Sequence, residues 1–188
     1  MHQLLNAIDT SLEKQNWFGA LFIALSIPDI CGGAEGVIRG NGPRYRDWFD
    51  RYLKERYASE SLYEQIRSSH PEQLVGISEK GLTYLKEAIP PVQFTADECW
   101  ALRCACLHEG VDETKLRNFK LTPLSDPYLR THLNIKDGLL QLEVQQLCQD
   151  IVKAAKKWMD DMQDRPEVVE KIEKMIRIED IFLQDILP

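Results

Sequence analysis

Arg103 and His108 are the residues of this chain whose types and spacing point most directly to chemistry. They lie in the stretch Thr95-Ala-Asp-Glu-Cys-Trp-Ala-Leu-Arg-Cys-Ala-Cys-Leu-His-Glu-Gly110, separated by Cys-Ala-Cys-Leu. Arg103 is a charge in apolar company. Burying it without a partner is costly, so it requires a carboxylate, a carbonyl or a ligand phosphate. Its guanidinium is a planar fork of donors matched to a phosphate. An imidazole, whose ordinary titration lies near neutrality, can take or give a proton. RNA cleavage without a metal needs a base for the 2′-hydroxyl proton, an acid for the leaving 5′-oxygen and a cation for the crowded phosphorane. Arg103 as phosphate clamp and His108 as proton-transfer residue supply the cation and one of the two proton groups. The plainer alternative keeps both structural, with Arg103 paired to a carboxylate (Asp29 or Glu35) and His108 capping the helix C-terminus, where its cation is favoured. At about 100° per residue, five residues advance roughly 500°, about 140° past a full turn. The two side chains therefore converge only if His108 sits in a fraying last turn, or if they act from opposite subunits.

Further candidates lie downstream. From Lys115 to Lys136 there are five bases (Lys115, Arg117, Lys120, Arg130, Lys136) against one acid, Asp126. This local excess can attract phosphate although the chain as a whole carries −7. Lys115, Arg117, Lys120 and Arg130 are thus candidate substrate-binding residues, with His132 named beside them as a further candidate for substrate contact and a solvated strand face as the plain alternative. His2 and His70 have no supporting context. Cys104 acts as a nucleophile only if a base activates it, and an inert thiol is the simpler reading on an apolar helix. The cysteines contain no C-x-x-C pair, and Cys104-Ala-Cys106 lacks partners at ligand spacing, so neither a metal site nor a cofactor is expected.

The element that must position the pair is well marked. Thr95 is a natural N-cap and Glu98 completes a capping box. Asp97 and Glu98 set negative charge in the first turn, and Gly110 suits the left-handed C′ position. Cys99, Trp100, Leu102, Ala105, Cys106 and Leu107 between them predict a helix buried on most sides.

An Arg and a His with four residues between them at the end of a buried helix resemble the R-x4-H motif of the HEPN superfamily, small all-helical proteins many of which are metal-independent endoribonucleases working as dimers. Cys104 stands where that family often has Asn, Asp or His. The resemblance implies a mainly α, antiparallel helical bundle and a homodimer whose symmetry brings two Arg/His pairs into one cleft. It further implies a toxin or defence ribonuclease that meets RNA or a nucleotide, and an antitoxin-type protein partner. The alternative is a non-catalytic helical binding module using the same cleft for a nucleotide or partner protein.

The rest of the chain is consistent with one helical domain over residues 1–188. Apolar periodicity predicts a helix over residues 2–27, ended or kinked at Pro28. Asp29 to Gly42 carries five glycines. No strand precedes it and no G-K-[ST] follows, so it reads as an inter-helix connection, not a phosphate loop. Tyr45, Trp48, Phe49, Tyr52, Leu53 and Tyr57 recur at helical spacing, an aromatic stripe that suits core or a dimer interface more than base stacking. Residues 61–69 make a short helix and 77–85 a helical turn. Period-two stretches flank the turn signal Lys136-Asp-Gly138 and predict a small β-hairpin or three-stranded flap between about 118 and 143. Helical period returns over about 144–162. Pro166 opens a C-terminal helix, over 165–188, packed on the domain. No secretory leader is evident and no apolar run is expected to reach membrane-spanning length. The chain reads as a reduced, cytoplasmic protein without membrane contact.

Overall fold

The structure, a computed structural model, describes residues 1–123 and 131–178. The fold is mainly helical with a small sheet. The first apolar stretch forms two helices instead of one, α1 (His2–Glu13) and α2 (Trp17–Glu35). The break falls in the polar run 13–16. Gln15 takes a left-handed φ of 56°, and the Asn16 side chain accepts from the Gly19 amide at 3.1 Å as an N-cap. Pro28 neither ends α2 nor stops it short of Glu35. It is buried, and packing on several sides offsets the amide bond that proline cannot make.

α2 is the hub. α1 packs on it, as do α3 (Asn41–Tyr52), α7 (Ala96–Cys104), α8 (Val144–Asp161) and α9 (Pro166–Glu173). With 19 residues and a mean hydropathy of 1.5, α2 is long and apolar enough to cross a membrane by length and composition, a run the sequence reading did not anticipate. Within the fold its apolar residues, among them Leu21, Ala24, Leu25, Ile27 and Cys31, are core.

α3 begins at Asn41 with Pro43 in its first turn. Tyr45, Trp48 and Phe49 are completely buried and Tyr52 half-buried, so the aromatic stripe is spent inside the protomer and Tyr45 and Trp48 cannot form an interface with a second copy. Phe49, Tyr57, Phe94 and Phe119 continue it as a chain of tilted and edge-to-face rings with centroids 5.7–6.2 Å apart. This chain ties α3 and α4 (Lys54–Tyr57) to the sheet. α5 (Leu62–Ser69), a 3₁₀ turn (Pro71–Leu74) and α6 (Glu79–Glu87) form an outer lobe with no fully buried residue.

The sheet has the order β1 (Phe119–Thr122), β3 (Leu139–Glu143), β2 (Asn134–Lys136). β2 and β3 make the expected hairpin. Asp137 and Gly138 both have positive φ, 54° and 77°, as a two-residue primed turn requires. β1, however, runs parallel to β3, which a simple flap does not foresee. That register sets Phe119 beside Leu140 and Leu121 beside Leu142, joining the apolar side of both strands to the core. α9 ends at Glu173, earlier than its apolar periodicity suggests, with Ile176 and Ile178 exposed beyond it. The remainder of that expected helix, from 179, lies outside the described residues.

Candidate functional site

The helix carrying Arg103 starts as its sequence dictates. The Glu98 amide donates to Thr95 Oγ1 at 3.3 Å and the Thr95 amide to Glu98 Oε2 at 2.8 Å, a complete capping box. Its end differs from the expectation. α7 is α-helical only to Cys104, and Ala105–Glu109 winds as a π-turn closed by Gly110 at φ 70°, whose amide bonds back to the Ala105 carbonyl. An i→i+5 turn brings residues five apart over one another. It thereby removes the angular mismatch that α-helical winding imposes on Arg103 and His108. Arg103 Nη1 and His108 Nε2 lie 2.8 Å apart within one chain. A guanidinium only donates, so Nε2 accepts and the neutral ring carries its proton on Nδ1. His108 is exposed, and its contact is with Arg103 while Gly110 closes the helix end.

Arg103 itself is largely enclosed, with 13% of its side chain exposed. Its carboxylate partner is Asp29, whose Oδ2 lies 3.5 Å from Nη2. Glu35 is committed elsewhere, to Arg51 and to the Trp158 indole N–H, both at 2.8 Å. Asp29 is shared, because Arg44 Nε donates to its Oδ1 at 2.7 Å. Two guanidiniums thus flank one carboxylate and leave a positive surplus beside His108. The Arg103 Nε is buried and finds no partner among the described residues. The Arg103 guanidinium also stands 5.1 Å from the centroid of the Trp100 ring.

The glycine-rich run explains why α3 can deliver Arg44. A Cβ on Gly32 would meet the Arg44 carbonyl at 3.0 Å, and one on Gly33 would meet the guanidinium carbon at 3.4 Å. These glycines are the seat of an arginine. The run from Asp29 to Glu35 is helical, part of α2, instead of a connection.

The other candidates among the described residues do not contact this pair. Arg117 bonds Glu98 Oε1 at 3.0 Å and the Gln93 carbonyl at 2.8 Å, and so braces the start of α7. Lys115 and Lys120 are exposed. Arg130 lies outside the described residues. His132 is packed inward: its Nδ1 accepts from the Glu143 amide at 3.1 Å, which leaves Nε2–H facing the Tyr57 hydroxyl at 3.1 Å, and Tyr57 donates to Asp150 at 2.8 Å. Burial lowers its pKa from 6.5 to about 4. The unfolded chain therefore binds this proton first. The corresponding stability is full above about pH 6.5 and is lost as pH falls toward 4, on the order of 3 kcal/mol. Urea titrations at pH 7 and pH 4.5 should show a steeper acid loss for the wild type than for His132→Gln. Equal losses in the two proteins would remove His132 as the cause.

Beside the pair a cleft of about 540 Å³ opens, lined by Trp100, Cys104, Glu109, Glu113, Lys115 and Asn118 among others. Cys104 is the half-buried cysteine of the chain, and the other four are buried. Burial pushes Cys99 up to about 12 and Cys106 to about 11, so neither supplies a thiolate near neutrality. Among the described residues no three His, Cys, Asp or Glu side chains converge as a metal-ligand set. Against models of protein families, curated proteins and solved structures, the chain has no match.

Proposed function

We propose that the chain is a HEPN-like, metal-independent endoribonuclease of the toxin or defence type, with Arg103 the phosphate clamp and His108 the proton-transfer residue. The observation that carries this reading is the 2.8 Å contact between Arg103 Nη1 and His108 Nε2. It sets an imidazole lone pair against a guanidinium held in place by Asp29, at the exposed end of a buried helix. In the free protein the guanidinium occupies the lone pair. A phosphodiester oxygen competes for the same donor, and its arrival turns the fork to the phosphate and frees Nε2 to take the 2′-hydroxyl proton. The Asp29–Arg44 pairing keeps Arg103 from swinging away, and the surplus positive charge favours the phosphorane.

One chain supplies one imidazole. A homodimer placing two pairs at one cleft supplies the acid as well as the base. Because Tyr45 and Trp48 are consumed in the core, that dimer uses another surface. Sedimentation at micromolar concentration should show a dimer, and a monomer there would count against the two-imidazole mechanism.

The direct test is single-stranded RNA incubated with the protein in EDTA. Attack by the 2′-oxygen expels the 5′-oxygen and leaves a 2′,3′-cyclic phosphate and a 5′-hydroxyl. Those ends, formed without metal, are the expected products. Intact RNA, or cleavage only when a divalent cation is added, overturns the proposal. A protein that binds RNA and leaves it intact is the helical binding module instead.

A further inference from the structure

We infer that the cleft beside Trp100 is the base-binding subsite of the Arg103–His108 site, and that the base it takes is guanine. The inference rests on the reading that the pair holds an RNA phosphate. Its own support is the cleft's size, position and charge. At about 540 Å³ the cleft lies within the roughly 300–1,000 Å³ of small-molecule sites. Neither member of the pair lines it, but their neighbours along the helix do. Trp100 forms part of its wall and also lies against the Arg103 guanidinium. Cys104 and Glu109, the chain neighbours of Arg103 and His108, line it as well.

The cleft's charges decide which part of a nucleotide enters. Arg46 is neutralised by its ion pair with Asp97. Of the remaining ionised groups, Glu109 and Glu113 are exposed and have no partner among the described residues, and Lys115 opposes them. Two acceptors against one cation disfavour a phosphate, which belongs instead to the surplus positive charge around Asp29. The same groups suit a base that presents adjacent N–H donors. A carboxylate has two oxygens that accept two parallel N–H bonds. Guanine offers N1–H and the N2 amino group side by side, with O6 next to them for an ammonium. Uracil presents one ring N–H between two carbonyls, and adenine and cytosine each pair their amino group with a ring acceptor that a carboxylate repels. The Glu113 backbone is fixed for this task by its bridge to Asn118, and Thr114 Oγ1 holds the turn between them by accepting from the amides of Leu116 and Arg117.

The test is calorimetric binding of 3′-GMP, 3′-IMP and 3′-UMP to the full chain, with 3′-IMP lacking only the N2 amino group. The expected result is 3′-GMP about tenfold or more tighter than the other two, as one bidentate contact provides. In the Glu109→Gln/Glu113→Gln protein the three should bind alike, with the thermal midpoint kept because both side chains are exposed. Equal affinities in the wild type, an undiminished guanine preference in the double variant, or no binding at millimolar nucleotide each overturns the inference. The RNA assay separates the two readings. Guanine preference without cleavage keeps the subsite and removes the catalysis, whereas cleavage without base preference keeps the catalysis and removes the subsite.

Discussion

His108→Ala should reduce RNA cleavage by at least about a hundredfold, the low end of what a positioned acid–base group contributes, and leave the folded protein almost as stable as before. The two halves of this expectation have separate causes. His108 is exposed and its contact is with Arg103, so its removal uncovers no apolar surface. The hydrogen bond it accepts from Arg103 contributes about 0.5–1.5 kcal/mol, which moves the midpoint of a chain this size by roughly 1–6 °C. If a dimer supplies two imidazoles, both are lost in the variant and the activity should vanish from the assay. Identical products at identical rates from wild type and His108→Ala would end the catalytic reading. Loss of cleavage with a midpoint lowered by ten degrees or more would show instead that the π-turn depends on the imidazole for its fold.

Asp29→Asn should be the most destabilising of the conservative substitutions at the site. Asp29 is well enclosed and answers two guanidiniums, Arg44 at 2.7 Å and Arg103 at 3.5 Å. Removing its charge while keeping its shape leaves both without a counter-ion, one of them already carrying a buried, unpartnered Nε. Breaking one partner of a fully buried pair costs about 3–5 kcal/mol. Arg44 keeps about a quarter of its side chain in solvent, so about 3 kcal/mol, or roughly 6–12 °C in the midpoint, is the appropriate expectation. Arg103→Ala should cost less, because it leaves Asp29 with the nearer of its two partners. The two variants unfolded side by side in urea decide the matter. A smaller loss for Asp29→Asn than for Arg103→Ala would mean that the Asp29 charge contributes less to stability than the packing of the Arg103 side chain.

Local chemistry was legible in the sequence, and distant pairing was not. The capping box of Thr95 and Glu98 and the Asp137–Gly138 turn depend on residues within a few positions of one another, and both stand where they were expected. The break between α1 and α2 depends on equally local signals. The four polar residues 13–16 carry it, but apolar periodicity on both sides masks it. The choice of Asp29 over Glu35 as the partner of Arg103 was closed to the sequence, because it turns on α8 supplying Trp158 and α3 supplying Arg51 to Glu35. The same holds for Arg117 and His132. Charge counting groups Arg117 with Lys115 and Lys120, and His132 lies in the same stretch of sequence, whereas folding uses the arginine to brace α7 and encloses the histidine against Tyr57. The π-turn left no periodic trace, since it occupies only five residues.

That turn makes the relation of imidazole to guanidinium a matter of winding instead of sequence distance. Drawn tight to α-helical pitch, residues 105–109 would carry His108 away from Arg103 and onto the stripe of Ala101 and Cys104, two residues that line the cleft. The π-winding of these five residues is thus what keeps the ring over the guanidinium and off the cleft.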